Sequence, residues 1–156
     1  AGAALLVASR DATIAAVVSL AAFAHPAAMM RRWLHSRRIP YWPLGAYVLY
    51  YVQRVIGYRF DDIAPINTIR RVICPTLLVH GLADETVPAD EARAIYAQRT
   101  HELVELLLIP GSHDEYAELD RHLPALCRFL DQALVSSPAS PAGSCERSRT
   151  TASMQS

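Results

Sequence analysis

The sequence predicts an α/β fold built on about three parallel strands, with flanking helices and an inserted helical segment. Three observations predict it. Continuous apolar runs without period-2 alternation recur at residues 15–24, 76–80 and 103–109, the pattern of strands covered on both faces. Helix-like stretches separate these runs, and parallel neighbours need helical crossovers. Finally, 156 residues with 52% hydrophobic and 19% charged side chains suffice for one core of modest size and exclude a chain that is disordered throughout.

Taken in order, residues 2–10 are small and apolar, suited to a helix lying on a sheet, and Arg10 and Asp11 mark its exit. The first strand is expected over 15–24, with Ile14, Val17 and Val18 as its β-branched part and His25 and Pro26 as its stop. The nineteen residues 12–30 carry no formal charge, close to the length of a membrane span. They are nevertheless rich in alanine, hold Thr13, Ser19 and His25, and are broken by Pro26, so no membrane-inserted helix is expected. From 27 to 71 the composition turns to arginine pairs, aromatics and prolines, with helical spacing between Leu44 and Ile56, which reads as an inserted helical segment.

Pro75 opens the second strand, over 76–80, and Gly81 with the turn-rich LADETVP closes it. A helix is expected over 89–99, with Asp90 and Glu91 in the first turn, where the helix dipole favours anions. The third strand, 103–109, ends at Pro110 and Gly111. A last helix is expected over about 116–134, with Leu119, Leu123, Leu126, Phe129, Leu130 and Leu134 as its apolar stripe and Pro124 as a kink or boundary. Residues 135–156 are Ser, Thr, Pro and Ala with almost nothing to bury, and a disordered tail is expected there.

Fifteen arginines balance fifteen acids, so no global field draws the chain to nucleic acid or to an acidic membrane, and no nucleic-acid partner is expected. Cys74, Cys127 and Cys145 are odd in number and match no zinc or haem spacing, which points to reduced thiols in a cytoplasmic protein. Cys74 and Cys127 are expected in the core. No metal site is predicted.

Two loops stand at the carboxyl ends of consecutive strands, where open α/β sheets place their ligands. One is HGLADETVP, with Asp84; the other is IPGSHDEY, with His113. A carboxylate bound to one imidazole nitrogen fixes the tautomer and leaves the other nitrogen to take a proton from a hydroxyl. The pair lacks a nucleophile, since no GxSxG occurs in residues 1–156 and Ser9, Ser19 and Ser112 are poorly placed.

Three segments carry a resemblance. AGAALLVASR resembles the helix after the nucleophile elbow of the α/β-hydrolase superfamily, CPTLLVHGLADETVP its acid-bearing strand and loop, and LLLIPGSHDEYAEL its histidine-bearing strand and loop. The chain thus looks like the C-terminal half of such a serine hydrolase, over residues 1–134, with residues 27–71 as the cap. The resemblance implies Asp84 as triad acid and His113 as general base, with the nucleophilic serine upstream of Ala1. It implies hydrolysis of a carboxylic ester, or alternatively a peptide, amide or thioester, on a small-molecule acyl substrate through an acyl-enzyme, with no cofactor. By itself the 156-residue chain is then expected to be inactive.

Neighbouring residues receive lesser roles. His80 is expected to support the acid loop, and His25 to stand at the rim of the pocket, while His35, His101 and His122 read as surface residues. The aromatic patch of Trp33, Tyr41, Trp42, Tyr47, Tyr50, Tyr51, Tyr58 and Phe60 either covers the site and selects substrate or cements the inserted helices to the sheet. The arginine pairs at 31, 32 and 37, 38 read as a solvated face, with a substrate carboxylate or anionic lipid heads as the alternative. A noncatalytic chain that binds through its aromatic insert is the second functional reading.

Overall fold

The computed structural model describes residues 1–111 and 119–136. Strands β1 (Val17–Leu20), β2 (Thr76–Gly81) and β3 (Val104–Ile109) form one parallel sheet in chain order. Val17 lies opposite Thr76, and Gly81 opposite Ile109, so the carboxyl ends of the strands finish along one edge. β2 is buried at every residue, as the middle strand of a sheet covered on both faces must be.

Helices α1 (Gly2–Ala8), α2 (Pro26–Ser36), α3 (Ala46–Ile56), α4 (Phe60–Ile63), α5 (Pro65–Thr68), α6 (Ala89–Ala97) and α7 (Leu119–Ser136) accompany the sheet. On one face Leu5 and Ala8 of α1 and Ile95 of α6 pack against Val17, Leu78 and Val104, with Ile69 and Val72 completing the cluster. On the other face Phe129 and Leu126 of α7 cover Leu77, Val79 and Ile109. Leu5 and Ile95 are wholly excluded from water, and each such side chain contributes about 1.5–3 kcal/mol to folding.

The elements differ from expectation in instructive ways. β1 spans four residues, not the whole apolar run, because Ala21 adopts a left-handed conformation (φ 48°) and turns the chain out of the sheet. Ala22 and Ala24 remain buried as loop, so the apolar character outlasts the strand. α7 runs through Pro124 unbroken, and the proline is exposed. Its inward side is Leu126, Phe129 and Ala133, whereas Leu123, Leu130 and Leu134 are exposed, so the stripe is narrower than the leucine spacing implied. Cys127 is exposed and Cys74 buried, and burial pushes the Cys74 thiol pKa up. The expected tail lies, from residue 137 onward, outside the described residues. Among the described residues no helix is long and apolar enough to cross a membrane.

Between β1 and β2 the chain runs through α2 to α5. Leu34, Leu49 and Phe60 turn inward, and α2 meets the bend Tyr41–Gly45 so closely that a Cβ on Gly45 would stand 2.6 Å from Leu34 Cδ1. Gly57, at φ 74°, ends α3 in the left-handed conformation that glycine adopts without strain. Of the aromatic patch, Phe60 is buried among these helices, but most of the others face outward. Trp42 is 77% exposed, and Tyr47, Tyr50, Tyr51 and Tyr58 are exposed as well.

Candidate active site

Parallel strands that end together set their following loops side by side, and β2 contributes the loop that holds Asp84. Asp84 is buried, at 5% exposure. Its Oδ1 accepts the backbone N–H of Thr86 at 2.9 Å and of Val87 at 2.7 Å, the turn-forming habit of aspartate. Asp84 therefore performs the ordinary turn role, and that same turn fixes where its carboxylate stands. Oδ2 lies 3.7 Å from His80 Nε2, beyond hydrogen-bond reach.

His80 supports this loop, as its position at the strand end suggested. It is fully buried, and its Nε2 sits 2.6 Å from the Val87 carbonyl. A carbonyl can only accept, so Nε2 carries a proton. Nδ1 has no hydrogen-bond partner among the described residues. The imidazole thus pins the far end of the turn whose near end is Asp84.

His113 lies outside the described residues. The backbone leading to it does not. Leu82 N–H donates to the Ile109 carbonyl at 2.8 Å, and Ala83 N–H to the Gly111 carbonyl at 3.0 Å. The acid loop and the segment two residues before His113 are therefore laced together past the ends of β2 and β3. Gly111, at φ 139°, turns the chain there in a conformation that favours glycine.

Two further contacts tie the loop after β1 to this edge. The Glu91 carboxylate in the first turn of α6 accepts the Ala24 N–H at 2.8 Å and the Arg32 guanidinium at 2.6 Å. Sequence reasoning gave Glu91 only a helix-dipole role and missed this link; its sole signal was a first-turn acid at the sheet's carboxyl edge. His25 accepts the Ala27 N–H on Nδ1 at 3.1 Å, capping α2, and donates from Nε2 to Asp61 at 2.9 Å. That bond, with the nearby Arg59 charge, holds the Asp61 carboxyl pKa below its usual 3.8. Both ring nitrogens of His25 are thus engaged with the protein. His101, expected at the surface, is half-buried and bonds the Val72 carbonyl.

An apolar cavity of about 420 Å³ opens beside this edge, lined by Phe23, Pro26, Met29, Trp33, Leu49 and Phe60. Its volume is in the range of small-molecule sites, and its walls offer almost no polar atoms. Among the described residues no cluster of His, Cys, Asp or Glu has the makings of a metal centre.

This fold is similar to that of solved α/β-hydrolases, over part of their length. Of the solved structures it resembles, the Pyrococcus furiosus esterase Pf2001 superposes with a TM-score of 0.59 at 17% identity, covering 84% of this chain and 50% of that one. The α/β hydrolase GrgF from a Penicillium species superposes with a TM-score of 0.57 at 15% identity, covering 86% of this chain and 61% of that one. In sequence the chain is 30% identical over 79 residues to human alpha/beta hydrolase domain-containing protein 17B, a match to 50% of this chain and 27% of the relative. It is 24% identical over 96 residues to the uncharacterized protein YqkD of Bacillus subtilis, a match to 60% of this chain and 32% of that one. The chain therefore aligns with only about a third or less of these curated relatives. No protein-family model matches the sequence.

Proposed function

We propose that this chain supplies the acid and base of a serine hydrolase: Asp84 orients and charges His113, which takes the proton of a serine hydroxyl contributed by polypeptide outside residues 1–156. The serine then attacks an ester carbonyl, and His113 returns the proton to the leaving alcohol as the acyl-enzyme forms. Water, activated by the same imidazole, releases the acid. The observation that carries this reading is the lacing of the acid loop to the Gly111 segment, which sets a buried carboxylate beside the strand end that leads to His113. The apolar cavity at the same edge supports an uncharged acyl chain as the part of the substrate it receives.

The test uses a polypeptide carrying these residues together with an upstream strand and GxSxG, assayed on p-nitrophenyl esters of graded acyl length. Asp84→Asn and His113→Ala each lower kcat on the order of 10⁴-fold. Near-normal turnover in both variants would falsify the assignment. Residues 1–156 alone give no turnover above buffer; a burst of nitrophenol from them would place the nucleophile inside the chain.

A further inference from the structure

Net neutrality conceals a segregation of charge. Residues 27–71 hold eight arginines against Asp61 and Asp62, a net of +6, and the other residues carry −6. We infer that the exposed face of this basic segment docks on an anionic lipid bilayer, its arginines meeting lipid phosphates and its aromatics entering the headgroup boundary. This reading does not depend on the proposed catalysis.

The structure brings the required groups onto one surface. One depression is lined by Arg31, Tyr41, Tyr50 and Arg59, and a second by Tyr50, Arg54, Tyr58 and Arg59; they share Tyr50, Gln53 and Arg59 and so form one continuous trough. Arg31 stacks 5.0 Å over the Tyr41 ring, which holds the guanidinium at the surface. Among the described residues Arg31 and Arg54 make no ion pair, while Arg59 stands 3.6 Å from Asp61, the one acid lining the trough, itself bonded to His25. Beside it the outward side of α3 presents Tyr47, Tyr51 and Val55 at helical spacing, all more than half exposed, with Trp42 and Leu44 on the preceding bend.

Such a combination fits a bilayer better than a nucleic acid. Tyrosine and tryptophan settle at the headgroup level, where one end of the side chain is wet and the other apolar. Leu44 and Val55 find acyl carbon in a membrane and nothing to recognise on a phosphate backbone. The rest of the chain, at −6, is repelled by the same surface, so an anionic membrane both attracts the molecule and orients it. The association is peripheral, in keeping with the absence of a membrane-crossing helix among the described residues.

Flotation of the 156-residue chain with vesicles tests this, because protein aggregates do not float. Vesicles of phosphatidylcholine with phosphatidylserine carry the protein upward at physiological ionic strength and release it at about 1 M salt, while pure phosphatidylcholine carries little. Each arginine beside an anionic surface strengthens binding by a factor of about five, so Arg31→Ala, Arg54→Ala and Arg59→Ala together weaken it on the order of a hundredfold. Arg93→Ala with Arg128→Ala, away from the trough, leaves binding within about tenfold of the parent. Tryptophan emission shifts blue on vesicle addition, and Trp42→Phe removes that shift.

Four outcomes overturn the inference: no flotation with anionic vesicles at low salt; equal flotation with pure phosphatidylcholine; retention on single-stranded RNA without flotation; or equal losses in the two arginine sets. A blue shift that survives Trp42→Phe would place another face on the membrane and also overturn it.

Discussion

Replacing Glu91 is expected to separate the loop after β1 from α6 without touching Asp84 or His113. The carboxylate is 11% exposed and accepts two donors of different worth. Ala24 is buried, so its N–H, stripped of an acceptor, costs about 1–3 kcal/mol. Arg32 is 46% exposed and regains water, so its pairing contributes about 1 kcal/mol or less. Glu91→Ala is therefore expected to lower unfolding free energy by about 1–4 kcal/mol, whereas Glu91→Gln, which keeps an amide oxygen for Ala24, costs about 1 kcal/mol or less. Urea unfolding followed by the fluorescence of Trp33 and Trp42 reads both values. An alanine variant within about 0.5 kcal/mol of the parent, or a glutamine variant as damaging as the alanine, would refute the reasoning.

Two other perturbations follow from the same edge. Gly111→Ala forces a side chain onto φ 139° and strains the turn that lies against Ala83; in the serine-bearing polypeptide it is expected to lower esterase kcat on the order of a hundredfold, with unfolding free energy reduced by about 1–3 kcal/mol. Unchanged kcat would show that the lacing does not position His113. The Asp61 carboxyl, held below 3.8 by His25, contributes stability that is complete above 3.8 and is lost as pH falls through its lowered pKa. In His25→Ala, an NMR titration is expected to find Asp61 returned upward toward 3.8, and an unmoved titration would mean that the bond is not made in solution.

Much of the sheet was legible because buried parallel strands are written as uninterrupted apolar runs, as in Thr76–Gly81. Where the reading overran, apolar character was answering to burial and not to strand geometry: Ala22 and Ala24 are core residues in a loop, which no periodicity distinguishes from strand. The α7 stripe failed for a related reason. Leucine spacing marks several compatible helix faces, and only the neighbouring sheet selects Leu126, Phe129 and Ala133 among them. That Asp84 sits in a turn was legible from the turn-rich LADETVP after β2, whereas the Glu91 to Ala24 bond joins residues 67 apart and required the fold. The aromatic segment was visible as composition, but its outward orientation was not, because large side chains serve cores and interfaces alike.

The proposed pairing of Asp84 with the His113 imidazole is tested directly by proton NMR of the ring N–H resonances in the serine-bearing polypeptide. A carboxylate-bound imidazole N–H, shielded from exchange, gives one far-downfield resonance that is expected in the parent and absent from both Asp84→Ala and His113→Ala. A parent spectrum without it, or a resonance that persists when Asp84 is removed, would contradict the account.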